Sequence, residues 1–135
     1  MDYTFLAEKA IEAKKTALPT YSHFHVGAAL LTEDGKIYSG GNIESSSYGL
    51  TICAERTAIF KAISEGERKF SAIAIAGDTV GYCSPCGACR QIISDLCKDI
   101  DIVLVNQKKE IKVLRTKDLL PFAFEDTDLQ TKTSE

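Results

Sequence analysis

Thr51-Ile52-Cys53-Ala54-Glu55-Arg56 and, further along, Ser84-Pro85-Cys86-Gly87-Ala88-Cys89-Arg90-Gln91 are the two stretches on which the reading of this chain turns. The first offers a thiol with a carboxylate two residues on, and the second two thiols three residues apart behind a proline. Side chains two apart do not share a helix face. Cys53 and Glu55 therefore converge on one centre only if Cys53 lies at the irregular first turn of a helix beginning about there. Ser84 suits a helix cap and Pro85 a first helical position, so Cys86 and Cys89 fall on one face of a second helix. Helix N-termini carry partial positive charge and lower thiol pKa values, and this spacing brings two of them together.

Three thiols at one point read as a zinc site, with Cys53, Cys86 and Cys89 as ligands. A fourth tetrahedral position left to water is the pattern of catalytic rather than structural zinc. Bound zinc brings the pKa of water from about 15.7 to about 7, and Glu55 is left free to carry protons. Three thiolates and one divalent ion sum to minus one, which hinders hydroxide formation, so positive charge is needed nearby. The helix N-termini supply part of it. Arg56, beside Glu55, is the best-placed full charge and is expected to hydrogen-bond a ligating thiolate.

Two other readings of the cysteines compete. Cys83, Cys86 and Cys89 are spaced C-x-x-C-x-x-C and with Cys53 could hold an iron-sulfur cluster, or all four could close around a structural zinc. Against both, Ser84-Pro85 sets Cys83 outside the helix presenting Cys86 and Cys89, and neither reading uses Glu55. Cys97, on the later part of that helix, reads as a buried apolar residue. His23 and His25 could form a metal pair, but no third partner is in sight.

Outward from the two motifs, the chain alternates helices and strands. Residues 3 to about 16 carry Leu6, Ala7, Ala10, Ile11 and Lys14 near helical spacing, and Pro19 bounds the loop beyond. Runs at 26–31 and 37–40 flank Glu33-Asp34-Gly35-Lys36, a hairpin signal. The helix from Cys53 to Ser64 is apolar around most of its circumference, with Gly66 as its stop. Strands follow at 71–77, 101–105 and 111–114, then a short helix from Thr116 stopped by Pro121. This alternation predicts an α/β sandwich on a mixed, partly parallel sheet of five strands. A helix apolar on nearly all sides must be buried nearly all round. In so small a domain that requires a second subunit, so the chain is expected to self-associate.

The 135 residues suit one compact domain, expected over 1–125, with a poorly packed tail over 126–135. Acidic residues number 19 against 16 basic, and the basic ones are scattered, which argues against a polynucleotide binder. The N-terminus lacks the charge and apolar pattern of a secretory signal, and no long apolar run suggests a membrane span. Five cysteines, an odd number with three closely spaced, fit metal binding in a reducing compartment better than a disulfide framework. A cytoplasmic location is expected.

C-A-E followed by P-C-x-x-C resembles the zinc-dependent nucleobase and nucleoside deaminases. Within them the chain is most similar to the small cytidine deaminases, from Tyr21-Ser22-His23-Phe24 to Leu119-Leu120-Pro121. The resemblance implies a three-layer α/β/α fold, one Zn2+ per subunit, a homotetramer, and hydrolytic deamination of cytidine and deoxycytidine with Glu55 as proton shuttle. It also implies substrate contacts. Phe24 packs on the base, Asn42 and Glu44 hold the ribose hydroxyls, and Tyr48 reaches towards a neighbouring subunit's site. Ala54 offers backbone groups to the base, Ser84 its carbonyl to the amino group, and Phe124 a second aromatic. Phe122 stands where relatives commonly have glycine. Blasticidin S and cytosine in nucleic acid are the alternative substrates; the Asn42-Ile43-Glu44 block favours a free ribonucleoside.

Overall fold

The computed structural model describes residues 2–125 and Leu129. The expected tail, 126–135, otherwise lies outside the described residues. Helix α1 (Thr4–Ala13) is followed by strands β1 (Val26–Thr32) and β2 (Ile37–Gly41), helix α2 (Ala54–Ser64), strand β3 (Phe70–Gly77) and helix α3 (Gly87–Cys97). Strands β4 (Asp101–Val105) and β5 (Ile111–Arg115) and the short helix α4 (Thr116–Leu119) complete the order. The strands form one sheet in the order β2-β1-β3-β4-β5. β3 and β4 run parallel, and the other neighbours are antiparallel.

Because strand side chains alternate between faces, each strand feeds two cores. Ala28 and Leu30, Ile73 and Ile75, and Ile102 and Leu104 pack with Ala58, Ile59 and Ala62 of α2 and Ile93 and Cys97 of α3. On the other face Ala29, Ala72, Ala74, Ala76, Val103 and Val105 meet Leu6, Ala7 and Ala10 of α1. The result is the expected three-layer α/β/α sandwich. The alanine-rich face lets α1 approach closely. A Cβ added to Gly27 would fall 2.1 Å from the Ala10 carbonyl oxygen.

The hairpin forms where Asp34-Gly35 predicts it, with Gly35 at φ +92°, a conformation that suits glycine. Some expectations change. α1 ends at Ala13 and tightens into a 3-10 turn, Lys14–Thr16. α3 starts at Gly87 with Cys86, not Ser84, in the capping position. Pro85 precedes the helix because its carbonyl and the Ser84 hydroxyl are both held by Arg90. α2 is not covered all round within one chain, since Phe60 remains 40% exposed. Phe122 adopts φ +52° and projects fully into solvent. That left-handed backbone accounts for a glycine being the expected residue there.

Candidate metal and substrate site

The sheet delivers α2 and α3 to one point by their N-termini. Cys53 caps α2 and Cys86 caps α3, both with extended backbone and neither side chain making a capping hydrogen bond to the helix amides. Their sulfurs lie 3.7 Å apart. Cys89, one turn into α3, is completely buried and completes a group of three Sγ atoms all within 4.8 Å of one another. Such crowding suits a divalent cation, because the thiols compete for negative charge. A hydrogen bond with Cys89, then others with Arg56 and Cys86, hold the Cys53 thiol down at about 5, against the opposing effect of burial. The same Cys53 contact, together with burial, pushes Cys89 up. The donor set and spacing fit zinc.

Arg56 lies where the charge balance requires it, its Nη2 donating to Cys53 Sγ at 3.4 Å. Glu55 is 4% exposed. Burial before all else, with the nearby Cys53 charge, pushes its carboxyl up to about 7. A carboxyl in that range can both take and give a proton near neutrality.

Cys83 does not join the metal group. It packs against Gly77, its Sγ 2.7 Å from where a Cβ on that glycine would lie, and burial pushes its thiol up to about 11. The four-thiol readings lose their fourth ligand. Cys97 is buried as expected. His25 turns Nδ1 to Asp78 Oδ2 at 3.1 Å, and neither His23 nor His25 enters a metal group among the described residues.

A cleft of about 380 Å³ opens above the thiols. Phe24, Asn42, Glu44, Ala54, Glu55 and Ser84 line it, with Cys53, Cys83 and Cys86. Most expected substrate contacts therefore share one wall with the metal group. Asn42 is tightly engaged, accepting from the Val26 amide and donating to the Phe24 carbonyl, each at 2.8 Å. It thereby sets the chain path that presents Phe24. Glu44 Oε1 accepts the amides of Tyr21 and Ser22 at 2.9 and 2.8 Å, and the Ser22 hydroxyl donates to Oε2. The hydroxyl foremost, then the Ser22 amide, hold the Glu44 carboxyl below its usual range.

Two expected residues stand apart. Tyr48 is 74% exposed and meets Tyr21 edge to face at 5.7 Å, over a shallower hollow beside the cleft. Phe124 is not among the cleft's lining residues; its carbonyl accepts from Gln91 Nε2 at 2.9 Å. Two residues that the motifs do not single out bear on the site, Ser22 by lining the cleft and Arg90 by bracing one of its loops. Ser22 had a signal in its place beside Phe24, but Arg90, which braces the Ser84-Pro85 loop, had none beyond adjacency to Cys89.

The model for the cytidine and deoxycytidylate deaminase zinc-binding region matches residues 2–106. The chain belongs to the cytidine deaminase family. Cytidine deaminase of Sporosarcina psychrophila is 50% identical over 130 residues, 96% of either chain. The crystal structure of cytidine deaminase from Burkholderia pseudomallei matches with a TM-score of 0.88 at 48% identity, covering 92% of this chain and all of that one. Blasticidin-S deaminase of Bacillus cereus is 34% identical over 127 residues, 88% of this chain and 89% of its own. The three-thiol group described above lies within that matched zinc-binding region and is positioned to hold a metal ion. No helix among the described residues is long and apolar enough to cross a membrane.

Proposed function

We propose that this enzyme hydrolyses the C4 amino group of cytidine and 2'-deoxycytidine, giving the uridine nucleoside and ammonia. The observation that carries the reading is the buried Glu55 beside three convergent thiols at the floor of a nucleoside-sized cleft. Cys53, Cys86 and Cys89 would hold one zinc ion per subunit. When bound, zinc supplies acidity, bringing water from about 15.7 to about 7.

Glu55 manages the protons. It takes one from the attacking water and places it on ring N3 as the water oxygen bonds to C4. It then moves the second water proton to the amino nitrogen, the C4–N4 bond breaks, and ammonia leaves. N3 retains its proton in the uridine product. Phe24 packs on the base, Ala54 meets the ring through its backbone, and the Ser84 carbonyl receives the amino group. Asn42 and Glu44 hold the ribose hydroxyls, and Arg56 offsets thiolate charge.

Tyr48, outside its own chain's cleft, is assigned to the surroundings of a neighbouring subunit's site in a homotetramer. Exposed Tyr48, Leu50 and Phe60 support that association. A formal charge of −3 without a basic stripe favours a free nucleoside over a polynucleotide. A salvage role in the cytoplasm follows from a free nucleoside substrate and from thiols that must stay reduced.

The test is ammonia release from cytidine by zinc-loaded protein, with Glu55→Ala as the control. Release by the parent and a fall of about 10⁴-fold in the control are expected. A folded, zinc-loaded parent that releases none would overturn the cytidine reading and move the test to blasticidin S and single-stranded DNA.

A further inference from the structure

Between β3 and α3 the chain runs through residues 78–86 without regular structure, yet this loop carries Ser84 into the cleft and Cys86 into the thiol group. Something must fix it. Arg90, on the first turn of α3, turns back and divides its donors among three segments. Nε donates to the Pro85 carbonyl at 2.9 Å, Nη2 to the Ser84 hydroxyl at 2.9 Å, and Nη1 to the Leu119 carbonyl at 2.9 Å.

A guanidinium is planar, so its donors leave in fixed directions and cannot be redistributed independently. Holding the Ser84 side chain and the Pro85 carbonyl from one rigid group fixes the rotation of the peptide between them. The third bond ties that group to the end of α4. The adjacent Gln91 extends the brace by donating to the Phe124 carbonyl at 2.9 Å.

Resting on the reaction proposed above, we infer that Arg90 is a positioning residue for the departing amine: it sets where Ser84 stands relative to the Cys86 ligand. Arg90 itself does not line the cleft and acts through Ser84 and Pro85. Errors here fall on the reacting geometry at C4 rather than on ribose binding. Misplacing a reacting group by about 1 Å costs on the order of 10²-fold in rate. A lysine keeps the charge but cannot reproduce the three-way fork.

The experiment compares the parent, Arg90→Lys and Arg90→Ala as zinc-loaded full chains. It measures metal content, melting temperature, and kcat and KM for cytidine and for N4-methylcytidine, whose leaving group is bulkier. Arg90→Lys is expected to bind metal stoichiometrically, lose on the order of 10²-fold in kcat with KM changed less than about 3-fold, and show an altered preference between the two substrates. Arg90→Ala should do the same or worse. A second readout is independent of turnover. The cobalt-substituted Arg90→Lys protein should show a shifted visible absorption spectrum, reporting a moved Cys86 thiolate.

Unchanged kcat per bound metal, unchanged substrate preference and an unshifted cobalt spectrum in Arg90→Lys would overturn the inference. So would a loss confined to melting temperature, which marks a purely structural brace. Should the parent itself fail to deaminate cytidine, the proposed reaction falls, and the cobalt spectrum alone still decides whether Arg90 positions the metal loop.

Discussion

Arg56 Nη2 stands 3.4 Å from Cys53 Sγ and donates to it, on the same helical turn that buries Glu55. The Nε of Arg56 is buried with no hydrogen-bond partner among the described residues. An unpaired buried donor costs about 1–3 kcal/mol, a cost a surface arginine would not bear. We propose that the side chain is held for its charge beside the Cys53 thiol. Replacing Arg56 by Gln preserves much of its reach and removes that charge. Zinc affinity should fall about 10–100-fold, the usual effect of losing a group that supports a metal ligand. Chelator competition measures it, and an affinity equal to the parent's would refute the role.

Glu44 has its carboxylate fixed before any substrate arrives, since the amides of Tyr21 and Ser22 and the Ser22 hydroxyl all point to it. A preset anionic acceptor at the cleft mouth suits a ribose hydroxyl. Glu44→Ala should lower kcat/KM for cytidine by about 10-fold or more, with binding rather than the chemical step affected. Ser22→Ala, which leaves the carboxylate and two of its donors, should lower it less. Equal kinetics in parent and Glu44→Ala would remove the ribose assignment.

The parts of this molecule that were legible in the sequence are those specified locally. Asp34-Gly35 encodes its own turn, the apolar run along 71–77 encodes a buried strand, and the Cys53/Glu55 spacing forces a helix boundary that lies where expected. The start of α3 departs from the Ser-Pro signal because that preference is local, while the contacts that hold Ser84 and Pro85 outside the helix come from Arg90. A third Arg90 contact spans 29 residues to Leu119 and leaves no periodic trace. Phe124 illustrates the same limit. Its sequence position suggests an aromatic for the base, yet in the chain Gln91 holds its backbone and its ring does not line the cleft.

Gly27 marks where α1 crosses the sheet. An added Cβ would meet the Ala10 carbonyl oxygen at 2.1 Å, the Lys14 nitrogen at 2.6 Å and the Ala13 carbonyl carbon at 2.9 Å, all backbone atoms that cannot rotate aside. Overpacking of this kind costs about 1–3 kcal/mol or more. Gly27→Ala should melt about 5–10 °C below the parent. Gly81→Ala, where an added Cβ meets nothing within 4 Å, is the matched control and should melt near the parent. Equal melting of the two variants would show that α1 can shift to make room.

The Tyr3 hydroxyl donates to Asp101 Oδ2 at 2.6 Å, and Arg115 Nη1 donates to Oδ1 at 2.8 Å, tying the start of α1 to the β4–β5 pair. The Tyr3 bond, then the Arg115 bond and charge, hold the Asp101 carboxyl below its usual range. Burial first, and then the same bond to Asp101, push Tyr3 up to about 12. A depressed carboxyl stabilises the fold above its ordinary value of 3.8, and that contribution is lost as pH falls through the folded value. A raised tyrosine stabilises below its ordinary value of 10.0, and that contribution is lost as pH rises from there through about 12. The stability difference between the parent and Tyr3→Phe should therefore form a plateau from about pH 4 to 10, of about 1–2 kcal/mol, and shrink on both sides. Urea unfolding of the two proteins at pH 2.5, 7 and 11 reads it directly, and metal loss in acid cancels in the difference. A gap of constant size across that range would mean that Tyr3 contributes its ring alone and that the bond to Asp101 adds nothing to the fold.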